Sequence, residues 1–396
     1  METPPASESA RKRSRQVGYL LTFIATFSLG TTEIFAPWYA GILGGSPYII
    51  GWAMGSFGLV YMFSPYLGGR VSDRIGRRNT LLLATLCYVV LLTIYPQPFV
   101  TPELIVAIRA VEGVVFGLFY PTVEALVAEM KPDAQSVVLG NFSVSWSSGM
   151  ILSPFLIAFM STNFGNVTSI YVVLLIELVS LLLIAGLVKG GRPVRVQATE
   201  PVESARIKPQ GSHKTSRRFI ASYLSMALFG FTSTVILGLF PSYIDAQPGL
   251  GAEDFGYLLV VWNSFRTLGF YGSTRVPKEK MDSVMITGIL LIAGSLGVVY
   301  ATTGLVLLYA AMIFSGLGVG FAYISSLYIV VSATESEKGE HAGLIESLAG
   351  IGFFVGPIFG GWIAEYALNL PYLATCLFAS TCLIIVSWLL RSQKQS

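Results

Sequence analysis

Charge is scarce in this sequence. Asp, Glu, Lys and Arg make up 12% of its 396 residues, against about 25% in a soluble domain. Hydrophobic residues make up 53%, a balance that reads as an integral membrane protein, and no nucleic-acid partner is expected. There are two histidines, His213 and His341, too far apart in sequence to suggest a metal pair. The three cysteines, Cys87, Cys376 and Cys382, lie in apolar runs without metal or redox spacing and read as small core hydrophobes. No G-x-x-x-x-G-K-[ST] string occurs, and no polar segment is large enough for a nucleotide domain, so an ATP-driven pump is disfavoured. Gly316, Gly318 and Gly320 are spaced like a phosphate loop, but they sit inside an apolar run with no strand before them. No Ser–His or metal constellation appears, so neither an enzyme nor a bound cofactor is expected. A cleavable signal is also not expected. Residues 1–16 are polar and end in a basic cluster around Arg11 and Arg15, and the run that follows is too long for a signal core.

What the sequence has instead is long apolar runs. Twelve are long enough to cross a bilayer: 17–42, 47–68, 79–97, 103–127, 136–160, 167–188, 218–243, 253–274, 283–301, 304–328, 340–366 and 371–390, with ends uncertain by about 4 residues. The expected fold is an all-α membrane protein. One long polar stretch, 189–217, reads as a linker between a bundle over 1–188 and another over 218–396. Of 25 Lys and Arg, only Arg109 and Arg266 fall inside the runs, apart from Arg218 at the first position of the seventh. The rest cluster on one side, which places both termini and the linker in the cytoplasm of a plasma-membrane protein. An internal repeat supports the division. Gly113 and Gly117 in the fourth run recur as Gly316 and Gly320 in the tenth, and Gly149 and Pro154 recur as Gly352 and Pro357. All four pairs share an offset of 203 residues, as from 113 to 316. The expectation is twelve transmembrane helices in two pseudo-symmetric six-helix bundles.

Between the second and third runs lies Gly69-Arg70-Val71-Ser72-Asp73-Arg74-Ile75-Gly76-Arg77-Arg78. Such residues are expensive in lipid, so the segment reads as a short polar hinge at a membrane surface, with Asp73 close enough to pair with an arginine. The string resembles the loop between spans 2 and 3 of the major facilitator superfamily, G-x-L-x-D-R-x-G-R-[KR]. Gly69, Asp73, Arg74, Gly76, Arg77 and Arg78 match, and Val71 replaces the leucine. A second string, Gly352, Gly356, Pro357, Gly360 and Gly361, is similar to one that family antiporters carry in span 5. Here it stands in the eleventh run, and the fifth keeps only Gly149 and Pro154, with Ser153 replacing a glycine. The simpler reading of these glycines is close helix packing. The resemblance implies a secondary transporter of the proton-coupled multidrug and solute branch, working as a monomer on a small molecule. Its energy source would be the proton gradient. The hinge would be a latch on the cytoplasmic side.

Scaffold residues should recur in both halves, whereas chemistry need not. Glu33, Arg109, Glu112 and Arg266 meet Ile236, Met312, Ser315 and Phe63 at the repeat offset, so each is a costly group present once. Arg109 and Glu112 are three apart on a helix and can pair. Arg109 and Gly113 match part of a span 4 signature, R-x-x-x-G-x-G, of family members implicated in proton coupling. Its last glycine is displaced to Gly117. Glu33 could carry a proton, or attract a cation with Trp38 and Tyr39 supplying ring faces. Arg266, with Trp262 and Asn263 beside it, could hold an anionic group or pair with a carboxylate. Glu124, Glu346 and His341 read as gating or surface groups, and Glu177 has no assigned part. Export of a drug or cation therefore competes with import of an organic anion or metabolite, and a non-transporting receptor is a remote third reading.

Overall fold

The computed structural model describes residues 8–128, 135–188, 217–331 and 338–393. All of the linker but Arg217 lies outside the described residues, as do the side chains of His341 and Glu346. Thirteen α-helices run through the described residues, with no strand among them. They are α1 Glu8–Ile42, α2 Pro47–Tyr61, α3 Ser64–Ile75, α4 Arg77–Ile94, α5 Pro102–Ala128, α6 Gln135–Phe164, α7 Thr168–Leu187, α8 Arg217–Asp245, α9 Ala252–Thr274, α10 Met281–Ala301, α11 Leu305–Val331, α12 Lys338–Ala364 and α13 Leu370–Gln393. Ten of them are long and apolar enough to cross a membrane, which makes this a multi-pass membrane protein.

Two details depart from the sequence reading. The run expected as one span over 47–68 is two helices, α2 and α3, so the described residues hold thirteen helices rather than twelve. Pro65, in the first turn of α3, has no N–H to give the preceding turn and disfavours the helical region for the residue before it. A helix can start there but cannot easily pass through. The polar hinge is also narrower than expected. Helix α3 continues through Gly69 and Asp73 to Ile75, and α4 begins at Arg77. Gly76 alone makes the turn, with φ at 89°, a conformation a side chain would resist. Arginine is a good helix former wherever water reaches it, so a polar stretch need not be a loop.

Helix α1 packs on α2, α5, α6 and α7, while α8 packs on α9, α11, α12 and α13. Helices from the two sides of the linker meet along α1–α8, α2–α8, α2–α12 and α6–α9. The repeated glycines hold equivalent places in this packing. A methyl at Gly149 of α6 would lie 2.7 Å from the Phe27 nitrogen of α1, and one at Gly352 of α12 would lie 2.7 Å from the Phe231 nitrogen of α8. Gly113 meets the Phe57 carbonyl of α2 in the same way, and Gly316 meets the Trp262 carbonyl of α9. Close backbone approach, available only to small residues, is what these positions share. Gly117 and Gly320 also lie against neighbouring helices, Gly117 on Ser64 and Gly320 on Arg266 and Gly269. On α12, Gly356 and Gly360 face Phe231 and Leu239 of α8, and Gly361 faces Pro47 of α2. Pro154 and Pro357 each sit inside their helix.

Candidate functional site

Four charged side chains from α1, α5 and α9 interact electrostatically in the interior: Glu33, Arg109, Glu112 and Arg266. Arg109 and Glu112, one turn apart on α5, form a fully buried ion pair through Nη1 and Oε2. The remaining carboxylate oxygen, Oε1, accepts a hydrogen bond from the Tyr95 hydroxyl at 2.9 Å. Arg109 Nε donates to the Ala53 carbonyl of α2 at 3.3 Å, and its guanidinium lies 4.6 Å from the Phe57 ring centroid. The pair is therefore nearly saturated: its two charges cancel, and most of its donors and acceptors are taken. Within the pair, Arg109 Nη2 is the one buried polar atom without a hydrogen-bond partner among the described residues. Burial of two charges is tolerable only when they are paired and bonded in this way.

The second couple is looser. Arg266 of α9 is 3% exposed, and its Nε and Nη2 have no hydrogen-bond partner among the described residues. Its guanidinium lies between two rings, 4.8 Å from Trp262 of its own helix and 5.6 Å from Trp146 of α6. Asn263 donates to the Leu259 carbonyl at 3.2 Å, which leaves its Oδ1 without a partner, and the Trp262 indole nitrogen also has none. Glu33 of α1 is half-buried and interacts electrostatically with both arginines. A buried donor without a partner costs about 1–3 kcal/mol. Arg266, Asn263 and Trp262 concentrate that cost in one place, at the seam between α6 and α9. A ligand with acceptors and a donor would relieve it.

A family model described as the Major Facilitator Superfamily matches residues 18–334 and 279–396. The chain belongs to the Major Facilitator Superfamily. Among its relatives is a hexuronate transporter of Bacillus subtilis (strain 168), 24% identical, the match covering 84% of this chain and 83% of the relative. The multidrug resistance protein 1 of the same organism is 22% identical, over 95% of this chain and 97% of the relative. Among solved structures, the nucleoside transporter NupG superposes with a TM-score of 0.76 at 15% identity, over 96% of this chain and 98% of that one.

The facilitator loop motif stays close to its own end of the molecule. Asp73 pairs with Arg77 at 2.8 Å, and Arg77 also donates to the Ser72 hydroxyl at 2.8 Å. Arg78 donates to the Ala185 carbonyl at the end of α7, 2.7 Å away. Helix α3, which carries Arg70, Asp73 and Arg74, packs on α2, α4 and α5. Glu124 is exposed.

Trp38 corrects an expectation. It is 2% exposed, its indole N–H donates to Asp245 Oδ2 of α8 at 2.9 Å, and its ring packs on Phe35 and Phe255. No face is left for a cationic solute. Tyr39 stacks on Phe35. Sequence reasoning missed Tyr95, Trp146, Asp245 and Glu365. For Trp146 a signal existed in the polar string Ser143-Val144-Ser145-Trp146-Ser147-Ser148, which interrupts an otherwise apolar run. Tyr95 and Asp245 stand at helix ends, where polar residues are ordinary.

Proposed function

We propose that this chain is a secondary transporter that moves a small solute by alternating access. The twelve expected spans follow if α2 and α3 count as one crossing and α9, despite Glu253, Asp254 and Arg266, counts as another. In this reading residues 1–188 rock against 218–396, with 189–217 as a cytoplasmic linker and both termini inside. The observation that carries it is the group of four charges shared by α1, α5 and α9, from both sides of the linker, none repeated at the equivalent position. The matching glycine contacts of α1–α6 and α8–α12 support the two-fold plan.

Proton coupling rests on Glu33, a half-buried carboxylate between two cations. Binding and release of its proton would change the field on Arg266 and so the affinity for solute. The choice between cation export and anion import turns on which charges are free. Glu112 is consumed by Arg109 and Tyr95, whereas Arg266 retains unpartnered donors between two indoles. That favours a solute bearing an anionic group and a flat or apolar part, with the hexuronate relative as a precedent for an acidic cargo. The multidrug relative supports the export reading, for which Glu33 alone would be the attractive charge.

Thermal-shift measurements on the purified protein, with glucuronate against a lipophilic quaternary ammonium ion, separate the two. Stabilisation by the acid, lost in Arg266→Gln, is expected. Stabilisation by the ammonium ion alone, lost in Glu33→Gln, would overturn the anionic reading. Flux of the stabilising compound into proteoliposomes, with and without a proton gradient, then tests transport and coupling.

A further inference from the structure

Glu177 lies on α7 and is 2% exposed. Its Oε1 has no hydrogen-bond partner, and it takes part in no ion pair among the described residues. An isolated carboxylate in such a place costs several kcal/mol or more. A purely structural residue would not require it.

Helix α7 packs on α1, α4 and α6. Helix α6 carries no titratable side chain. From α1, Ser28 lies against the carboxyl, outside good hydrogen-bond geometry; its hydroxyl is buried and has no hydrogen-bond partner. From α4 comes Tyr88, which interacts electrostatically with both Glu177 and Glu112. Tyr120 of α5 interacts electrostatically with Glu177 as well. The remaining charged groups on these helices are Glu33 on α1, in the central site, Glu8 and the basic residues at the start of α1, and the basic residues at the start of α4. Of the latter, Arg78 is occupied at the far end of α7 by the Ala185 carbonyl.

Tyr88 donates to the Ser28 carbonyl at 3.1 Å and lies 3.0 Å from the Thr32 hydroxyl. Thr32 stands one turn beyond Ser28 on the same face of α1 and interacts with Glu112. Ser28, Thr32 and Tyr88 are all at most 2% exposed. Tyr88 thus bonds to the Ser28 backbone and to Thr32, while the Ser28 hydroxyl bonds to neither, so the surroundings of Glu177 and Glu112 are joined through Tyr88 and Thr32.

We propose that Glu177 is a second proton-binding site, coupled to Glu112 across Tyr88 and Thr32. A proton taken up from water neutralises the Glu177 carboxylate, and its release to water restores the negative charge; no other bond forms or breaks. The part this plays in a transport cycle rests on the proton-coupled reading above, but the proton exchange itself does not.

Infrared difference spectroscopy on the full chain in lipid nanodiscs, stepped through pH, tests it without any solute. The wild type should show a protonated-carboxyl band that Glu177→Gln removes, together with about one proton of uptake per chain. Glu112→Gln, Tyr88→Phe and Ser28→Ala should retain that band and move its pH midpoint by about one unit, as coupled sites do. Ser28→Ala removes only one hydroxyl and keeps the test usable if Glu177→Gln does not fold. Superimposable spectra of wild type and Glu177→Gln would overturn the site. A Glu177 band indifferent to Glu112→Gln, Tyr88→Phe and Ser28→Ala would overturn the coupling. A titrating Glu177 in a protein without gradient-driven flux would contradict the proposed function and leave this inference standing.

Discussion

Trp38 of α1 hands its indole N–H to the Asp245 carboxylate of α8, 2.9 Å away. The bond ties the first helix of the chain to the first helix beyond the linker, next to the loop that follows α8. In an alternating-access reading it is a clasp on the non-cytoplasmic side. A hydrogen bond to a charged group contributes about 1.5–3 kcal/mol. Trp38→Phe or Asp245→Ala should therefore raise the population opened on that side roughly tenfold or more. Hydrogen exchange at the adjoining ends of α1 and α8 should speed up accordingly, while exchange in α10 stays unchanged.

A second clasp should respond to acid. Glu365, just after α12, accepts a hydrogen bond from the Tyr48 N–H at 2.8 Å. The Ser46 hydroxyl, and then this N–H, hold its carboxyl below the usual carboxylate range. A depressed value means that the contact stabilises the folded state fully above the ordinary glutamate value of about 4.3. The contribution is then lost as pH falls through the lower, folded-state value. Exchange of the Tyr48 amide should accelerate as pH is brought through that range, after correction for intrinsic rates. In Glu365→Gln the acid step should vanish.

The Arg109–Glu112 pair should be costly to break and cheap to replace. Glu112→Gln leaves a buried guanidinium uncompensated, a loss of about 3–5 kcal/mol, visible as a lower melting temperature in detergent. Replacing the unit together, Arg109→Met with Glu112→Leu and Tyr95→Phe, should recover most of that stability. Transport should be absent from both variants.

Asp73 sits at the opposite extreme. Its side chain is 68% exposed in the pair with Arg77, so Asp73→Asn should change stability by no more than about 0.5 kcal/mol. Flux in proteoliposomes should nonetheless fall severalfold if the loop acts as a latch. Full flux at unchanged stability would leave the motif without that role.

Much of this fold was legible because a membrane simplifies the code: a long apolar run almost has to be a helix. The helix limits show it, since α5 covers Pro102–Ala128 where hydropathy marked 103–127. The break at Met62–Phe63 escaped because hydropathy reads straight through Pro65. The site was half legible. Arg109 and Glu112 announced their pairing by spacing, and Arg266 by being a cation within an apolar run. What spacing cannot give is which partners arrive from other helices. Tyr95 saturates Glu112 and Trp146 covers Arg266 only because α4 and α6 are packed where they are. Glu177 was conspicuous as a carboxyl in an apolar run, yet its meaning depends on Ser28 and Tyr88, which lie on two other helices.

The central claim is that the two sides of the linker move against each other around Glu33, Arg109, Glu112 and Arg266. Spin labels at Gln97→Cys and Ala246→Cys report the non-cytoplasmic side, and labels at Asn79→Cys and Arg275→Cys report the other, all in a background without Cys87, Cys376 and Cys382. Pulsed electron–electron distances for each pair, measured in nanodiscs across pH, test the motion most directly. The account predicts opposed changes, one distance lengthening as the other shortens, with the response lost in Glu33→Gln. Two distances that stay fixed, or that lengthen together, would contradict it.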